Sequence, residues 1–117
     1  MVKNIFIVED EGILVLVNTM LIHELGHKVV GKSNNGLDAI QLIKKLKPDI
    51  ILMDIKIKGD LDGIDTMKEI EKFANTAVIY ITGNSDAETL ARAKGTNMRS
   101  FLIKPINIEM LREALDN

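Results

Sequence analysis

Short apolar segments alternate with longer segments of helical periodicity along the whole chain. Five of the apolar segments are too short to form helices and are rich in β-branched residues, which is typical of buried strands. They lie near residues 3–8, 28–32, 49–53, 77–81 and 99–103. The pattern therefore predicts five β-strands.

The segments between the strands carry apolar residues at helical spacing and end at residues that commonly stop helices. Gly26 follows the first helical pattern, and Pro48 follows the second. The predicted helices cover residues 12–25, 36–46, 63–73, 86–94 and 107–115. The second helix is predicted to bear an apolar stripe, composed of Leu37, Ile40, Ile43 and Leu46. We also expect four methionines to lie in the core, namely Met20, Met53, Met67 and Met110.

This order of elements predicts the type of sheet. Short connections that alternate strand and helix need right-handed crossovers, so the strands run parallel and helices cover both faces of the sheet. The predicted fold is therefore α/β, a doubly wound (βα)5 arrangement around a parallel five-stranded sheet. In such a sheet, ligands bind outside the carboxyl ends of the strands, where the strand order reverses.

Polar residues with complementary chemistry stand at the carboxyl ends of four of these strands. They are Glu9, Asp10, Asp54, Thr82 and Lys104. Acids at one edge repel one another unless a cation lies among them, and Mg²⁺ prefers carboxylate, carbonyl and water oxygens. A lysine and a hydroxyl can then bind the other oxygens of a phosphoryl group. Together the five residues predict a metal-dependent phosphoryl-transfer site, although each alone is compatible with a helix cap, a turn or a solvated strand end.

Composition narrows the possible functions. With 117 residues, 46% of them hydrophobic and only 3% aromatic, the chain is predicted to form one domain, residues 1–117, around an aliphatic core. A formal net charge of −2 provides no basic face, so nucleic-acid binding by this chain alone is not expected. The absence of Cys excludes disulfides and thiolate metal sites. No run has the length of a membrane span and the opening residues lack signal-peptide features, so we expect a cytoplasmic location and no membrane contact.

Four segments of the sequence resemble the motifs of a known family. They are Val8–Glu11, Ile50–Asp54, Tyr80–Gly83 and Phe101–Pro105. These segments resemble the motifs of the response-regulator receiver domain, the chemotaxis-regulator-like family of two-component signalling, and the resemblance covers essentially the whole chain. It implies a flavodoxin-like sheet with strand order 2-1-3-4-5.

The resemblance also implies a role for each acid. Asp54 would accept a phosphoryl group from a phosphohistidine on a sensor histidine kinase or a phosphotransfer protein. Glu9 and Asp10, with Asp54 and the backbone carbonyl of Lys56, would bind the Mg²⁺. A domain of this kind promotes its own phosphorylation but turns over no free substrate, so we do not expect an enzyme.

The remaining motif residues are implied to bind the phosphoryl group and to pass on the signal. Lys104 would pair with phosphoryl oxygens, and Thr82 would hydrogen-bond to one of them. Thr82 and Phe101 would form a switch that acts on a downstream protein through the face made by the fourth helix, fifth strand and fifth helix. The peptide bond before Pro105 is implied to be cis.

The chain departs from the family pattern after Asp54. Receivers commonly carry a Pro four residues beyond the acceptor, where Lys58–Gly59 stands here, and Asp62–Gly63 comes about one residue late. We therefore expect a looser loop with altered metal affinity. Lys56 and Asn84 occupy positions that in this family tune the loss of phosphate by controlling water access.

One further motif suggests a different chemistry. The residues His23-Glu24-Leu25-Gly26-His27 match the H-E-x-x-H pattern of zinc peptidases, in which both histidines lie on one helix. Because the helix is predicted to stop at Gly26, we expect His23 and His27 to diverge and to bind no structural zinc. The alternatives left open are a phosphohydrolase that uses Asp54, this less favoured zinc peptidase, and a degenerate receiver that acts only as an interaction scaffold. The intact Asp54, Thr82 and Lys104 argue against the last.

Overall fold

Strands and helices alternate throughout the chain. The structure is a computed structural model that describes residues 1–84 and 86–116, so Ser85 and Asn117 of the predicted domain lie outside the described residues. The elements are β1 Asn4–Val8, α1 Gly12–Glu24, β2 Lys28–Ser33, α2 Gly36–Leu46, β3 Ile50–Asp54, α3 Gly63–Ile70, β4 Ala77–Thr82, α4 Ala87–Lys94, β5 Met98–Ile103 and α5 Ile108–Asp116. No helix among these described residues is both long enough and apolar enough to cross a membrane.

The five strands form one parallel sheet in the order β2-β1-β3-β4-β5. This confirms the predicted α/β class, the doubly wound arrangement and the strand order. The chain moves from β1 to β2 on one side and then returns to place β3 on the other side of β1. The strand order therefore reverses between β1 and β3, and the carboxyl ends of these two strands flank the crevice in which such sheets bind ligands.

Each face of the sheet is covered by its own apolar layer. Neighbouring residues of a strand point to opposite faces, so Phe6 belongs to one layer and Ile5 to the other. The first layer is closed by α2, α3 and α4, and the second by α1 and α5. Because both faces are buried, the strands are continuous apolar runs, which is why they could be recognised in the sequence.

The third helix is shorter than predicted. It ends at Ile70 rather than Phe73, and residues 71–73 form a turn. The backbone N–H groups of Lys72 and Phe73 donate to carbonyls three residues earlier, on Glu69 and Ile70. The carbonyl of Ile70 also accepts the N–H of Ala74, so the helix ends in a turn with mixed three- and four-residue hydrogen bonds.

Some apolar residues predicted to lie in the core are exposed. In α2, Ile40 and Ile43 are buried, but Leu37 and Leu46 are 66% and 42% exposed. A spacing of three residues drifts about 60° per step around a helix, so the two ends of this stripe point about 180° apart. Met20 is 62% exposed for a similar reason, since it is two positions away from the buried Asn18 of α1.

α3 begins directly against the end of β3. The backbone N–H of Gly63 donates to the carbonyl of Ile55 at 2.7 Å. A Cβ atom at position 63 would lie 2.3 Å from the carbonyl oxygen of Asp54 and 2.8 Å from the side chain of Met53. Only glycine therefore allows the helix to approach the strand end this closely.

The substitution Gly63→Ala is expected to lower the free energy of unfolding by about 1–3 kcal/mol, because the new methyl group displaces backbone rather than a flexible side chain. Gly12→Ala is the matched control, since a Cβ at position 12 has no heavy atom within 4 Å. That control is expected to be neutral or slightly stabilising, because alanine favours helix. Urea unfolding of both variants measures the difference, and equal stability would contradict the close approach.

Candidate functional site

Three carboxylates meet at the reversal of strand order. Glu9 and Asp10 directly follow β1, and Asp54 is the last residue of the neighbouring strand β3. Each residue places one carboxylate oxygen within 4.8 Å of the other two. Glu9 and Asp54 are buried and Asp10 is partly exposed. The structure thus brings together the three acids that the sequence predicted at one edge, in an arrangement that could hold a metal ion.

Lys104 reaches the same cluster from beyond β5. Its Nζ lies 2.8 Å from Asp54 Oδ2 and 3.5 Å from Glu9 Oε1. Its backbone N–H donates to the carbonyl of Thr82 at 2.8 Å, which fixes the origin of the side chain beside β4. The Lys104–Pro105 peptide bond is cis. Burial disfavours the charge on Lys104, but the hydrogen bond to Asp54 and the two negative charges outweigh it and raise the pKa of the ammonium group.

Glu9 is the acid most affected by its surroundings. Burial raises the pKa of Glu9 to about 7, and the neighbouring Asp54 adds to this increase. The backbone N–H of Glu11, 3.2 Å from Glu9 Oε2, acts in the opposite direction. Near neutral pH the carboxyl group is therefore close to half protonated in the absence of metal. The residues fit a hard divalent cation, because such an ion can replace the proton and offset the charge of all three acids.

Thr82 lies one strand further along the same edge. It is the last residue of β4 and is buried, and it directly follows Ile81, the register partner of Asp54 in β3. The backbone N–H of Asn84 donates to Thr82 Oγ1 at 3.2 Å, and that of Lys56 donates to Asp54 Oδ1 at 3.2 Å. The loops that follow β3 and β4 therefore fold back over these two side chains, and the side chains of Lys56 and Asn84 are exposed.

Phe101 has a neighbour to which sequence reasoning assigned no role. The ring of half-buried Phe101 lies 6.5 Å from that of Tyr80, its register partner in β4, at an angle of 58°. Tyr80 is fully buried, and its hydroxyl lies 2.7 Å from Thr96 Oγ1, which donates to the carbonyl of Ala93 in α4. Tyr80 therefore donates to Thr96. Tyrosine in an otherwise aliphatic strand was the available signal, because a buried phenol needs a partner.

The loop between β3 and α3, which departs from the family pattern, is fixed by contacts at both ends. Lys58 forms a parallel bridge with Asn35, and Gly59 adopts a positive φ of 97°. At the far end of the loop, Asp62 caps α3 by accepting a hydrogen bond from the backbone of Asp65 at 2.8 Å. Arg92 of α4 donates to the same Asp62 carboxylate at 2.9 Å. The absence of the usual proline therefore leaves a loop that has defined contacts at both ends.

The two histidines of the H-E-x-x-H string do not share a helical face. α1 ends at Glu24, and Gly26 turns the chain with a φ of +86°. His23 is exposed on the last helical turn, whereas Nδ1 of His27 accepts a hydrogen bond from the backbone of Lys3 at 3.0 Å. Burial, together with the charge of Lys3, lowers the pKa of His27. Within residues 1–84 and 86–116, the one group of three or more side chains that could hold a metal is the acidic cluster.

Comparisons with known proteins agree with this geometry. The chain matches the response regulator receiver domain over residues 5–116. It is 32% identical to the chemotaxis protein CheY of Thermotoga maritima over 115 residues, covering 97% of this chain and 95% of that protein. It is 29% identical to the transcriptional regulatory protein PdtaR of Mycobacterium tuberculosis, covering 97% of this chain, but spans only 55% of that relative's length.

A solved structure has the same fold and a similar level of identity to this chain. The signal receiver domain of a modulated diguanylate cyclase from Desulfovibrio desulfuricans superposes with a TM-score of 0.91 at 33% identity, covering 99% of this chain and 92% of that one. The chain belongs to the family of response regulator receiver domains. Receiver domains are signalling domains of two-component systems, and they bind Mg²⁺ at an acidic cluster of the kind that Glu9, Asp10 and Asp54 form.

The raised pKa of Glu9 predicts a pH-dependent stability. The folded-state pKa of about 7 exceeds the ordinary value of 4.5, so the folded protein binds more protons and loses stability as the pH rises between these values. Glu9→Gln removes this loss. In EDTA at pH 8 the variant is expected to be about 1–2 kcal/mol more stable than the wild type, with a smaller difference at pH 5.

Urea unfolding at the two pH values measures the effect. Saturating Mg²⁺ should reverse the order at pH 8, because the variant lacks one carboxylate ligand while the wild type gains the free energy of metal binding. A Glu9→Gln protein that is no more stable than the wild type at pH 8 without metal would show that burial of this carboxylate is not destabilising.

Proposed function

We propose that this chain is the phospho-accepting receiver domain of a two-component phosphorelay, comprising residues 1–117 and located in the cytoplasm. Asp54 takes a phosphoryl group from a sensor histidine kinase or a phosphotransfer protein. The observation that carries the proposal is the position of the Asp54 carboxylate, which lies within 4.8 Å of carboxylate oxygens of Glu9 and Asp10 and 2.8 Å from the Nζ of Lys104. A nucleophile beside both a cation site and a lysine suits transfer of a phosphoryl group, whose oxygens carry negative charge.

Hydrogen bonds from neighbouring residues orient the Asp54 carboxylate. One oxygen of Asp54 is bound by Lys104 and the other accepts the backbone N–H of Lys56, so the carboxylate is oriented before the donor arrives. In the reaction, an Asp54 oxygen bonds to phosphorus as the bond between phosphorus and the histidine nitrogen breaks. When bound at Glu9, Asp10, Asp54 and the carbonyl of Lys56, Mg²⁺ would offset the charge of the acids and of the phosphoryl oxygens.

Lys104 and Thr82 then bind the product. Phosphorylation converts the Asp54 carboxylate into an acyl phosphate, and the Lys104 ammonium can transfer its pairing to a phosphoryl oxygen. The Thr82 hydroxyl, at the end of the adjacent strand β4, accepts the backbone N–H of Asn84, and its own proton would be donated to another phosphoryl oxygen. The exposed side chains of Lys56 and Asn84 flank this position, where they would tune the loss of phosphate through access of water.

Thr82 and Phe101 would carry the signal to a downstream protein. Both are on the face of the sheet covered by α4, since Thr82 is two residues from Tyr80, the register partner of Phe101. A shift of the Thr82 hydroxyl toward the phosphoryl group vacates space into which the half-buried Phe101 ring can move. Such a movement changes the apolar surface exposed by α4, β5 and α5, and so changes affinity for a partner.

The first functional prediction concerns the nucleophile. Incubation with a small phosphodonor is expected to add one phosphoryl group per chain in Mg²⁺ and none in EDTA. Asp54→Asn should abolish the addition, Asp10→Asn should raise the Mg²⁺ concentration required, and Asp60→Asn, an exposed loop acid, should leave both unchanged. Intact-mass spectrometry measures the product. Persistent labelling of Asp54→Asn would refute this nucleophile. Rapid hydrolysis of many donor molecules per chain, lost in Asp54→Asn, would instead favour the phosphohydrolase.

A second prediction concerns the switch. Binding of beryllium trifluoride, a phosphoryl mimic, with Mg²⁺ should shift the amide resonances of α4 and α5 in the wild type and in Thr82→Ser, which retains the hydroxyl. In Thr82→Ala the resonances near Asp54 should still respond, whereas those of α4 and α5 should shift much less. NMR titration measures both sets. Equal shifts in Thr82→Ala, with the mimic equally bound, would exclude Thr82 as the relay.

A further inference from the structure

α4 has the weakest apolar attachment to the sheet of the helices on its face. Of its eight residues only Ala93 is buried, and all eight are described. α3 has the same length but buries five residues, namely Gly63, Ile64, Thr66, Met67 and Ile70. Since apolar burial supplies most of the free energy that holds a helix in place, the position of α4 depends to an unusual degree on polar contacts.

The main polar contact joins α4 to the start of α3. Arg92 donates from both terminal nitrogens to the Asp62 carboxylate, at 2.9 and 3.3 Å, and also to Asp65 Oδ1 at 3.2 Å. The Asp62 pKa is lowered, because Arg92 and the backbone of Asp65 stabilise the carboxylate more than its partial burial opposes the charge. A bidentate arginine–carboxylate ion pair is stronger and more directional than an ion pair with a single hydrogen bond.

This contact lies next to the backbone of the proposed phosphoacceptor. Asp62 precedes Gly63, whose N–H is bound to the Ile55 carbonyl and which has no room for a Cβ beside the Asp54 carbonyl. A continuous series of contacts therefore joins the end of β3, the start of α3 and the guanidinium of Arg92. Through Arg92, α4 is bound to the start of α3, which packs closely on the end of β3, while the chain entering α4 comes from Thr82, which would move on phosphorylation.

We propose that Arg92 is a positioning residue whose ion pair with Asp62 latches α4 onto α3 in the unphosphorylated protein and opposes its displacement by a phosphoryl group on Asp54. This inference rests on the proposed function and adds a regulatory contact to it. An interaction made in only one of two states shifts the equilibrium toward that state, so breaking the latch favours the phosphorylated conformation.

Hydrogen exchange of the metal-free protein tests the latch without any ligand. In Arg92→Gln, the amides of residues 90–94 are expected to exchange about two- to fivefold faster, since partly exposed ion pairs have effects of this size, while those of α2 stay unchanged. Asp62→Asn should act in the same way, because asparagine still caps α3 but lacks the charge. Arg92→Lys should restore part of the protection.

The matched control is Arg112→Gln. Arg112 pairs with Glu109 within α5, so its loss removes an arginine ion pair that links no two elements. This control should leave exchange in α4 unchanged. If Arg92→Gln also left the α4 amides unchanged, the contact would not hold the helix and the proposal would be overturned.

Binding of beryllium trifluoride with Mg²⁺ tests the effect on the switch. By calorimetry, Arg92→Gln and Asp62→Asn are each expected to bind the mimic about two- to fivefold more tightly than the wild type. The double variant should bind no more tightly than either single variant, because both remove the same interaction. Unchanged or weaker binding by Arg92→Gln, or additive effects in the double variant, would overturn the latch.

The two experiments separate the latch from the function on which it rests. A wild-type protein that bound no mimic would overturn the proposed function, and with it the effect of the latch on phosphorylation. The exchange experiment would still decide whether Arg92 holds α4. Tight binding of the mimic by the wild type with no change in Arg92→Gln would instead uphold the function and refute the latch.

Discussion

The repulsion among the carboxylates of Glu9, Asp10 and Asp54 is the constraint on which the site depends. Two of these groups are buried, and a buried charge is unfavourable unless an opposite charge or a proton compensates it. Lys104 provides part of the compensation, and a proton on Glu9 or a bound cation provides the rest. The parallel sheet makes this arrangement unavoidable, because the ends of β1 and β3 are neighbours. The apolar layers on both faces thus hold together acids that would separate in water.

Most of the fold and the acidic cluster could be predicted from the sequence, for two physical reasons. Strands that are buried on both faces are uninterrupted apolar runs, and parallel strands bring their carboxyl ends to one edge. Residues 40–60 positions apart, such as Glu9 and Asp54, could therefore be placed together from their positions in the pattern alone. The wrong predictions of buried residues arose because the spacing of apolar residues identifies a helix face but not whether another element covers it. Periodicity did not show that Leu37 and Met20 face outward.

The contacts of α4 lay beyond what the sequence could show. Arg92 and Asp62 are separated by 30 positions, and charged residues on the surface of a helix or at its start ordinarily face solvent. Their pairing depends on the angle at which α3 and α4 cross the sheet, and no local pattern encodes that angle. The bond between Tyr80 and Thr96 joins a buried strand to the residues that follow α4, so it too appears only when the layers are packed. The sequence could therefore predict the acidic cluster around Asp54 but not the contacts of α4.

The absence of a side chain at Gly63 affects how closely the helices on this face pack against the sheet. The backbone at the start of α3 packs directly against the Asp54 carbonyl. The end of β3 therefore has little free space in which to move relative to α3. α4 packs less closely on the sheet, since one alanine provides its buried attachment. The small size of residue 63 therefore makes the junction of β3 and α3 the closely packed part of this face, and leaves α4 as its loosely attached part.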